Sequence, residues 1–341
     1  MITRDGLPES VEDARERIYA PVAGELDQVI LNIGSVAAGR DETQQHPEIE
    51  ERLEHVLSAP GKRVRPAITL LAQRLWGRPS DARSVNMSTA VELLHIDTLV
   101  HDDTVDRAAT RRGRATASKL WGGTVAVLLG DYVFASSAIF VCETNSVRLI
   151  RRFAETIAEL ARGELKELAG AWQPSATRDA YYERIFDKTA SLFATAAESG
   201  AILGEADEED VQRLRSFGHS LGMAYQVYDD LLDFESTSQT LGKPAGHDLP
   251  SGILTLPAII ALEGGSGRQP LFDYLGAEPA QRPALLAGTV GAIRSCGALP
   301  EARSIAEDFS HKAMIALSAQ RPSQELECLK ELTAYLLGRR N

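Results

Sequence analysis

LIRRFAETIAELARGELKEL, residues 149–168, sets the fold class. Its apolar side chains Leu149, Ile150, Phe153, Ile157, Leu160, Ala161, Leu165 and Leu168 step by three or four residues. That spacing puts them on one face of an α-helix and leaves Arg, Glu and Lys on the other. Similar stripes run through 11–38, 48–59, 65–76, 84–107, 119–141, 180–203, 208–234, 254–263 and 326–337. The period-two alternation of half-buried strands is missing, so the chain is expected to be all-α. Breaks fall at Ala59-Pro60-Gly61, Gly77-Arg78-Pro79-Ser80, Gln173-Pro174-Ser175, the polar stretch 235–252 and Gly264-Gly265-Ser266-Gly267. None has the length or polarity of a domain linker, and no constant-period repeat is present. The expectation is a polar extension over 1–20 followed by one large helical-bundle domain over 21–341.

Composition narrows the class further. The 341 residues carry 36 Lys and Arg against 48 Asp and Glu, a net charge of −12. With 44% hydrophobic and 25% charged residues the chain can bury a full core, which excludes disordered, collagen-like and disulfide-scaffold proteins. Cys142, Cys296 and Cys328 are widely spaced with no CxxC pair, which fits a reducing, cytoplasmic setting. An acidic surface lacks the dense basic face that nucleic acid requires. The first twenty residues hold no apolar signal-peptide core. Leu120–Cys142 is near membrane-span length with Asp131 as its one charge; that central charge and its glycines favour a buried core helix, so no membrane span is expected.

Two motifs carry the chemistry. Asp102-Asp103-Thr104-Val105-Asp106 and Asp229-Asp230-Leu231-Leu232-Asp233 are both DDxxD on expected helices. One such motif arises by chance about 0.07 times in a chain of this size, and a pair far less often. The i, i+4 spacing stacks the outer carboxylates on one helix face. A solvated acidic face is the commonest fate of an acidic run, yet both motifs sit inside apolar runs, Leu93-Leu94-His95-Ile96 and Leu99-Val100 before the first and Val227-Tyr228, Leu231-Leu232 and Phe234 around the second. Carboxylates crowded in such surroundings repel one another unless a cation compensates them. Oxygen-only ligands point to magnesium. Gly61-Lys62-Arg63-Val64-Arg65-Pro66 and Arg107, Arg111-Arg112-Gly113-Arg114 add concentrated positive charge suited to phosphate oxygens. Together these describe a diphosphate site shared between Mg2+ and Arg/Lys.

At this point the chain resembles the trans-isoprenyl diphosphate synthases, the polyprenyl synthetase family, from about residue 21 to 340. The resemblance rests on GKRVRP (61–66), ELLHIDTLVHDDTVDRAATRRGRAT (92–116), LLGDY (128–132), KTASLF (188–193), GMAYQVYDDLLDF (222–234), LGKPAGHDL (241–249) and TLPAIIAL (255–262). It implies the helical isoprenoid synthase fold with a central active-site cavity, a homodimer, and condensation of isopentenyl diphosphate with an allylic diphosphate through magnesium-assisted ionisation. Residue by residue it implies Asp102, Asp106, Asp229, Asp230 and Asp233 as magnesium ligands with Asp103 beside them. Lys62, Arg65, His95 and Arg112 resemble the isopentenyl diphosphate binders; Arg111, Lys188, Thr189, Gln226 and Lys243 resemble the residues holding the allylic diphosphate and its developing charge.

The chain departs from the family pattern at four places. Pro60 stands before Gly61-Lys62 where the family has glycine, Glu167 replaces a usual Gln, and Ile253 replaces a usual Lys. The fourth, Asp97, lies five residues before the first aspartate, where the family sets product length by side-chain size; Asp97 and its neighbour Thr98 are therefore the chain-length candidates. Asp does not block a tunnel, but a carboxylate facing hydrocarbon is costly unless paired. The absence of an aromatic block and the segment Pro21-Val22-Ala23-Gly24-Glu25-Leu26 favour a medium- or long-chain product. The alternatives are a short-chain synthase, a class I terpene cyclase, or a modulatory subunit of a heteromeric synthase. Intact Lys62, Arg65 and His95 speak against a cyclase, and two intact aspartate motifs against a non-catalytic subunit.

Overall fold

The computed structural model describes residues 11–38, 46–235 and 246–338. Its helices are α1 (Val11–Tyr19), α2 (Ala23–Ala38), α3 (Pro47–Leu57), α4 (Val64–Arg74), α5 (Ala82–Val105), α6 (Ala117–Trp121), α7 (Gly123–Cys142), α8 (Val147–Gly170), α9 (Arg178–Ile185), α10 (Ser191–Leu203), α11 (Glu208–Glu235), α12 (Leu256–Glu263), α13 (Arg268–Gly276), α14 (Arg282–Ser295), α15 (Ala298–Leu317) and α16 (Gln324–Leu337). The fold is all-α, with one short hairpin among the described residues. It divides into two compact units: Met1–Ala154 with Thr195–Leu214 and Gln320–Leu332, and Glu155–Ala194 with Arg215–Ala319 and Thr333–Asn341.

The first unit is organised on α5. Asp81 caps it by accepting the Ser84 N–H at 3.1 Å, satisfying one of the donors a helix start leaves over. Met87, Ala90, Val91 and Leu93 along its middle are fully buried, and α5 packs on α7, α4 and α2. α1 is part of the same unit, and its Ile18 is 1% exposed. The second unit encloses α12, whose Leu256–Leu262 run is buried on every side, with Tyr181, Val227, Leu231, Phe234 and Tyr274 around it. A helix apolar all round is stable only when wrapped in this way.

Three features differ from the sequence expectations. A two-stranded hairpin joins Thr110–Arg111 to Arg114–Ala115, with Arg112 (φ 50°) and Gly113 (φ 78°) both left-handed at its tip, the torsions of a type I′ turn. Two residues per strand are too few for alternation to register. The 180–203 stripe is interrupted by a π-helical turn at Phe186–Ala190 between α9 and α10. The 120–142 stretch breaks at Gly122 (φ 87°) into α6 and α7, and α7 is not a buried core helix. Only 39% of its most apolar window is buried, while Leu128, Ile139 and Tyr132 are 62%, 43% and 38% exposed. By length and composition alone α7 could cross a membrane.

Close packing of α11 fixes the second unit's site. A Cβ on Gly222 would lie 2.5 Å from the Ala190 Cα, so only glycine admits this approach. Gly222→Ala would otherwise gain about 1 kcal/mol of helix propensity. The variant is instead expected to lose about 1–3 kcal/mol through overpacking. A melting temperature equal to or above wild type in a thermal unfolding scan would show that the contact is slack.

Candidate active site

In the first unit, Glu92, His95, Ile96, Leu99, Val100 and Asp103 fall on one stripe of α5 at i, i+3, i+4, i+7, i+8 and i+11. They line a cavity of about 670 Å³, open mouth included, together with Arg63, Arg111, Arg112 and Arg114. Apolar side chains and a ring of guanidinium groups thus share one wall system. The first aspartate motif closes α5. Asp106 is exposed at the C-cap, and Asp102, one turn back, is half-buried. Asp103 is 6% exposed and accepts Arg111 Nε at 2.6 Å. A helix C-terminus already carries partial negative charge, so three aspartates there call for cations.

The basic residues surround that end. Lys62 is exposed on the turn before α4, and Arg65 lies in the first turn of α4. Burial, then Arg65, Arg112, Arg111 and Arg63, press the His95 pKa well below its ordinary value, so its imidazole is neutral. Arg112 donates to the Pro60 carbonyl. Thr98 Oγ1 donates to the His95 carbonyl at 2.8 Å. Asp97, 5% exposed, meets His101 Nδ1 at 3.0 Å on the next turn, and that contact lifts the His101 pKa to about 9.

In the second unit the π-helical turn presents Lys188 and Thr189, a geometry that often marks functional positions. Asp187 anchors the turn to α8 through Nε and Nη2 of Arg162 (2.8 and 2.6 Å) and through Lys166 (2.9 Å). Gly163 permits the approach, since a Cβ there would lie 2.6 Å from the Lys188 backbone nitrogen. Lys188 Nζ meets Glu164 at 2.8 Å and Glu167 at 2.5 Å. Glu167, the residue standing where the family has Gln, therefore holds part of the lysine's charge.

A relay leads from the turn into the second motif. Thr189 Oγ1 donates to Gln226 Oε1 at 2.7 Å, and Gln226 Nε2 donates to Asp230 Oδ1 at 2.8 Å. Tyr181 donates its hydroxyl to Asp230 Oδ2 at 2.6 Å. Asp230 is 5% exposed, and burial pushes its pKa up to about 7. Asp233 accepts the backbone N–H groups of His247 (2.8 Å) and Asp248 (3.3 Å). Asp229 is the exposed carboxylate of the three. Lys243 lies outside the described residues. Three residues of these sites were given no role by the sequence. Glu92 and Tyr181 are joined to their partners across 29 and 49 residues. Asp248, pushed up to about 8 by burial and by Asp233, Asp230, Glu167 and Asp229, has no motif spacing of its own.

The chain and its helical fold have counterparts among known proteins. The Polyprenyl synthetase family model matches residues 46–286. A prenyl transferase of Synechocystis sp. is 34% identical over 324 residues, covering 94% of this chain and 98% of that one. Octaprenyl diphosphate synthase of Escherichia coli is 35% identical over 263 residues, 77% of this chain and 81% of the relative. Among solved structures, a decaprenyl diphosphate synthase from Rhodobacter capsulatus superposes with a TM-score of 0.88 at 33% identity, covering 96% of this chain and 99% of that one. The chain belongs to the polyprenyl synthetase family. It is accordingly a trans-prenyltransferase.

The Lys188 contacts generate a test. Glu167→Gln removes one of the two carboxylates on Lys188 and lessens the negative field on Asp248. We expect a KM for the allylic diphosphate lowered by about threefold to tenfold, the range of one ordinary hydrogen bond, since Glu164 still holds the lysine. Steady-state kinetics that give an unchanged or higher KM would mean that Glu167 does not compete for the lysine.

Proposed function

We propose that this enzyme uses magnesium to extend an allylic diphosphate with isopentenyl diphosphate to a medium- or long-chain polyprenyl product, as a cytoplasmic homodimer. The observation that carries the reading is the α5 stripe, which sets His95 and a ring of arginines beside apolar Ile96, Leu99 and Val100 and ends in Asp102 and Asp106. A charged headgroup and a hydrocarbon body ask for that combination. The octaprenyl and decaprenyl relatives support a product of that class.

The donor set fits magnesium. Asp102, Asp106 and Asp229 offer oxygen only, and Asp230 and Asp248 are pushed up to about 7 and about 8, first by burial and then by neighbouring carboxylates. Among the described residues no three acidic, His or Cys side chains converge into a ready cage. That suits an ion held by one or two carboxylates and completed by water and substrate phosphates. When bound, magnesium supplies positive charge to the departing diphosphate.

The chain's own residues do the rest. Lys62, Arg65 and Arg112 hold the diphosphate of isopentenyl diphosphate by charge, and neutral His95 adds an N–H donor without further repulsion. Arg111, aimed by Asp103, takes up charge developing on the allylic diphosphate as its C–O bond breaks. Lys188, aimed by the π-helical turn, is a second cation for that developing charge. The double bond of isopentenyl diphosphate then attacks C1 of the allylic cation, and the departing proton goes to the diphosphate product. No protein nucleophile takes part. Ile96, Leu99 and Val100 keep water from a cation that water would quench.

The homodimer rests on α7. Leu128, Tyr132 and Ile139 lie at i, i+4 and i+11, one exposed apolar stripe suited to a second copy of the same helix. Free Cys142, Cys296 and Cys328 fit a reducing cytoplasm. Leu128→Glu with Ile139→Glu is expected to halve the mass measured by light scattering on a sizing column. A mass equal to wild type would remove α7 from the interface.

Incubation with Mg2+, labelled isopentenyl diphosphate and geranyl, farnesyl or geranylgeranyl diphosphate tests the reaction. A product ladder ending at about thirty carbons or beyond is expected, with turnover reduced roughly a thousandfold in Asp102→Ala and Asp229→Ala. No elongation from any primer, or full turnover in either variant, would overturn the assignment.

A further inference from the structure

Arg63 has a backbone conformation that arginine seldom takes. It is the N-cap of α4 with φ 51° and ψ 37°, in the left-handed region usually left to Gly or Asn. Such strain persists only where surrounding contacts over-determine it. Three contacts do so. Arg63 Nη1 donates to Glu92 Oε1 at 2.6 Å, and the Glu92 side chain is only 4% exposed. The Lys62 carbonyl accepts the Tyr19 hydroxyl at 2.8 Å. The Pro60 carbonyl accepts Arg112 Nη1. The turn 60–63 is thereby tied to α5, to α1 and to the hairpin.

Two guanidinium groups are also brought together there. A Cβ built on Gly61 would lie 3.0 Å from Arg63 Nη1 and 3.4 Å from Arg112 Nη1, so both approach one point above a residue with no side chain. Like charges this close need a counter-charge, and Glu92 provides it from within α5, one turn before His95. Residue 63 sits between Lys62 and Arg65. Its torsion therefore sets the direction of Lys62 relative to the first turn of α4.

We propose that Arg63 and Glu92, assisted by Tyr19, are positioning residues that hold Lys62 and Arg65 in register for the diphosphate of isopentenyl diphosphate. The inference rests on the assignment of that diphosphate to Lys62, Arg65, His95 and Arg112. Arg63 acts through Glu92, and Glu92 keeps the crowded guanidinium groups of Arg63 and Arg112 assembled before substrate arrives. The left-handed arginine is then retained for its side chain, which neither Gly nor Asn could replace.

The test is the double variant Arg63→Gly, Glu92→Gln. Glycine takes the same torsions without strain, and glutamine avoids leaving an unpaired buried charge, so the fold is kept. With the full-length enzyme we expect the KM for isopentenyl diphosphate to rise roughly tenfold or more, the scale of small misplacements of binding groups. The KM for the allylic diphosphate should not follow it. Tyr19→Phe should raise the same constant by less, and Arg63→Lys with Glu92 intact should recover part of the loss. Equal rises in both KM values, or a fall in kcat with neither KM moving, would reveal a merely structural role and overturn the proposal. Lys62→Ala is run beside it. If that variant raises the KM for isopentenyl diphosphate while the double variant does not, the positioning role fails and the site assignment stands. If neither raises it, both fall.

Discussion

Negative charge at the C-terminal end of a helix is the constraint from which both sites follow. α5 ends in Asp102, Asp103 and Asp106, and α11 ends with Asp229, Asp230 and Asp233 in its last two turns. Each helix end already carries part of a negative charge from its unpaired carbonyls, so the carboxylates add to an unfavourable potential. A chain selected for stability alone would place lysine or arginine there. Keeping acid at both helix ends creates potentials that cations relieve, and the neighbouring residues are arranged around that need.

Within each motif one aspartate is turned inward to orient its neighbours. Asp103 is buried and fixes Arg111, while Asp230 is buried and receives Tyr181 and Gln226. The outer residues Asp106 and Asp229 stay exposed. Two adjacent aspartates on a helix point about 100° apart, so each doubled pair can commit one carboxylate to the protein and turn the other elsewhere. Donors fixed in this way need no reorganisation when charge develops, which is where electrostatic catalysis gains most.

The sequence made the helical fold and the two motifs legible, because both are written in local spacing. α8 could be read from its stripe since one face is apolar and the other charged. α7 could not be placed correctly: it is apolar nearly all round, and nothing in such a run distinguishes a wrapped core helix from one with an open apolar face. α13, α14 and α15 left weak signals. α15 buries Ala298, Ala302, Ala306 and Ala313, small residues that mark a close approach yet draw no hydrophobic stripe. At the sites, DDxxD and GKRVRP announce themselves, whereas Glu92, Tyr181 and Asp248 act through partners far away in the chain. Long-range pairing has no period, so a single sequence does not display it.

Asp97 shows how a local contact settles a question that composition leaves open. A carboxylate 5% exposed within an apolar helix is costly, and burial by itself would favour its neutral form. His101, one turn on, meets it at 3.0 Å, and its own raised pKa of about 9 keeps the imidazole charged at neutral pH. His101 Nε2 also reaches the Val127 carbonyl of α7 at 3.3 Å, and Asp131 stands 3.7 Å away. The carboxylate is therefore committed to its own helix and, through His101, to α7. A side chain held in that way carries neither the bulk of an aromatic ring nor a charge without its counter-charge.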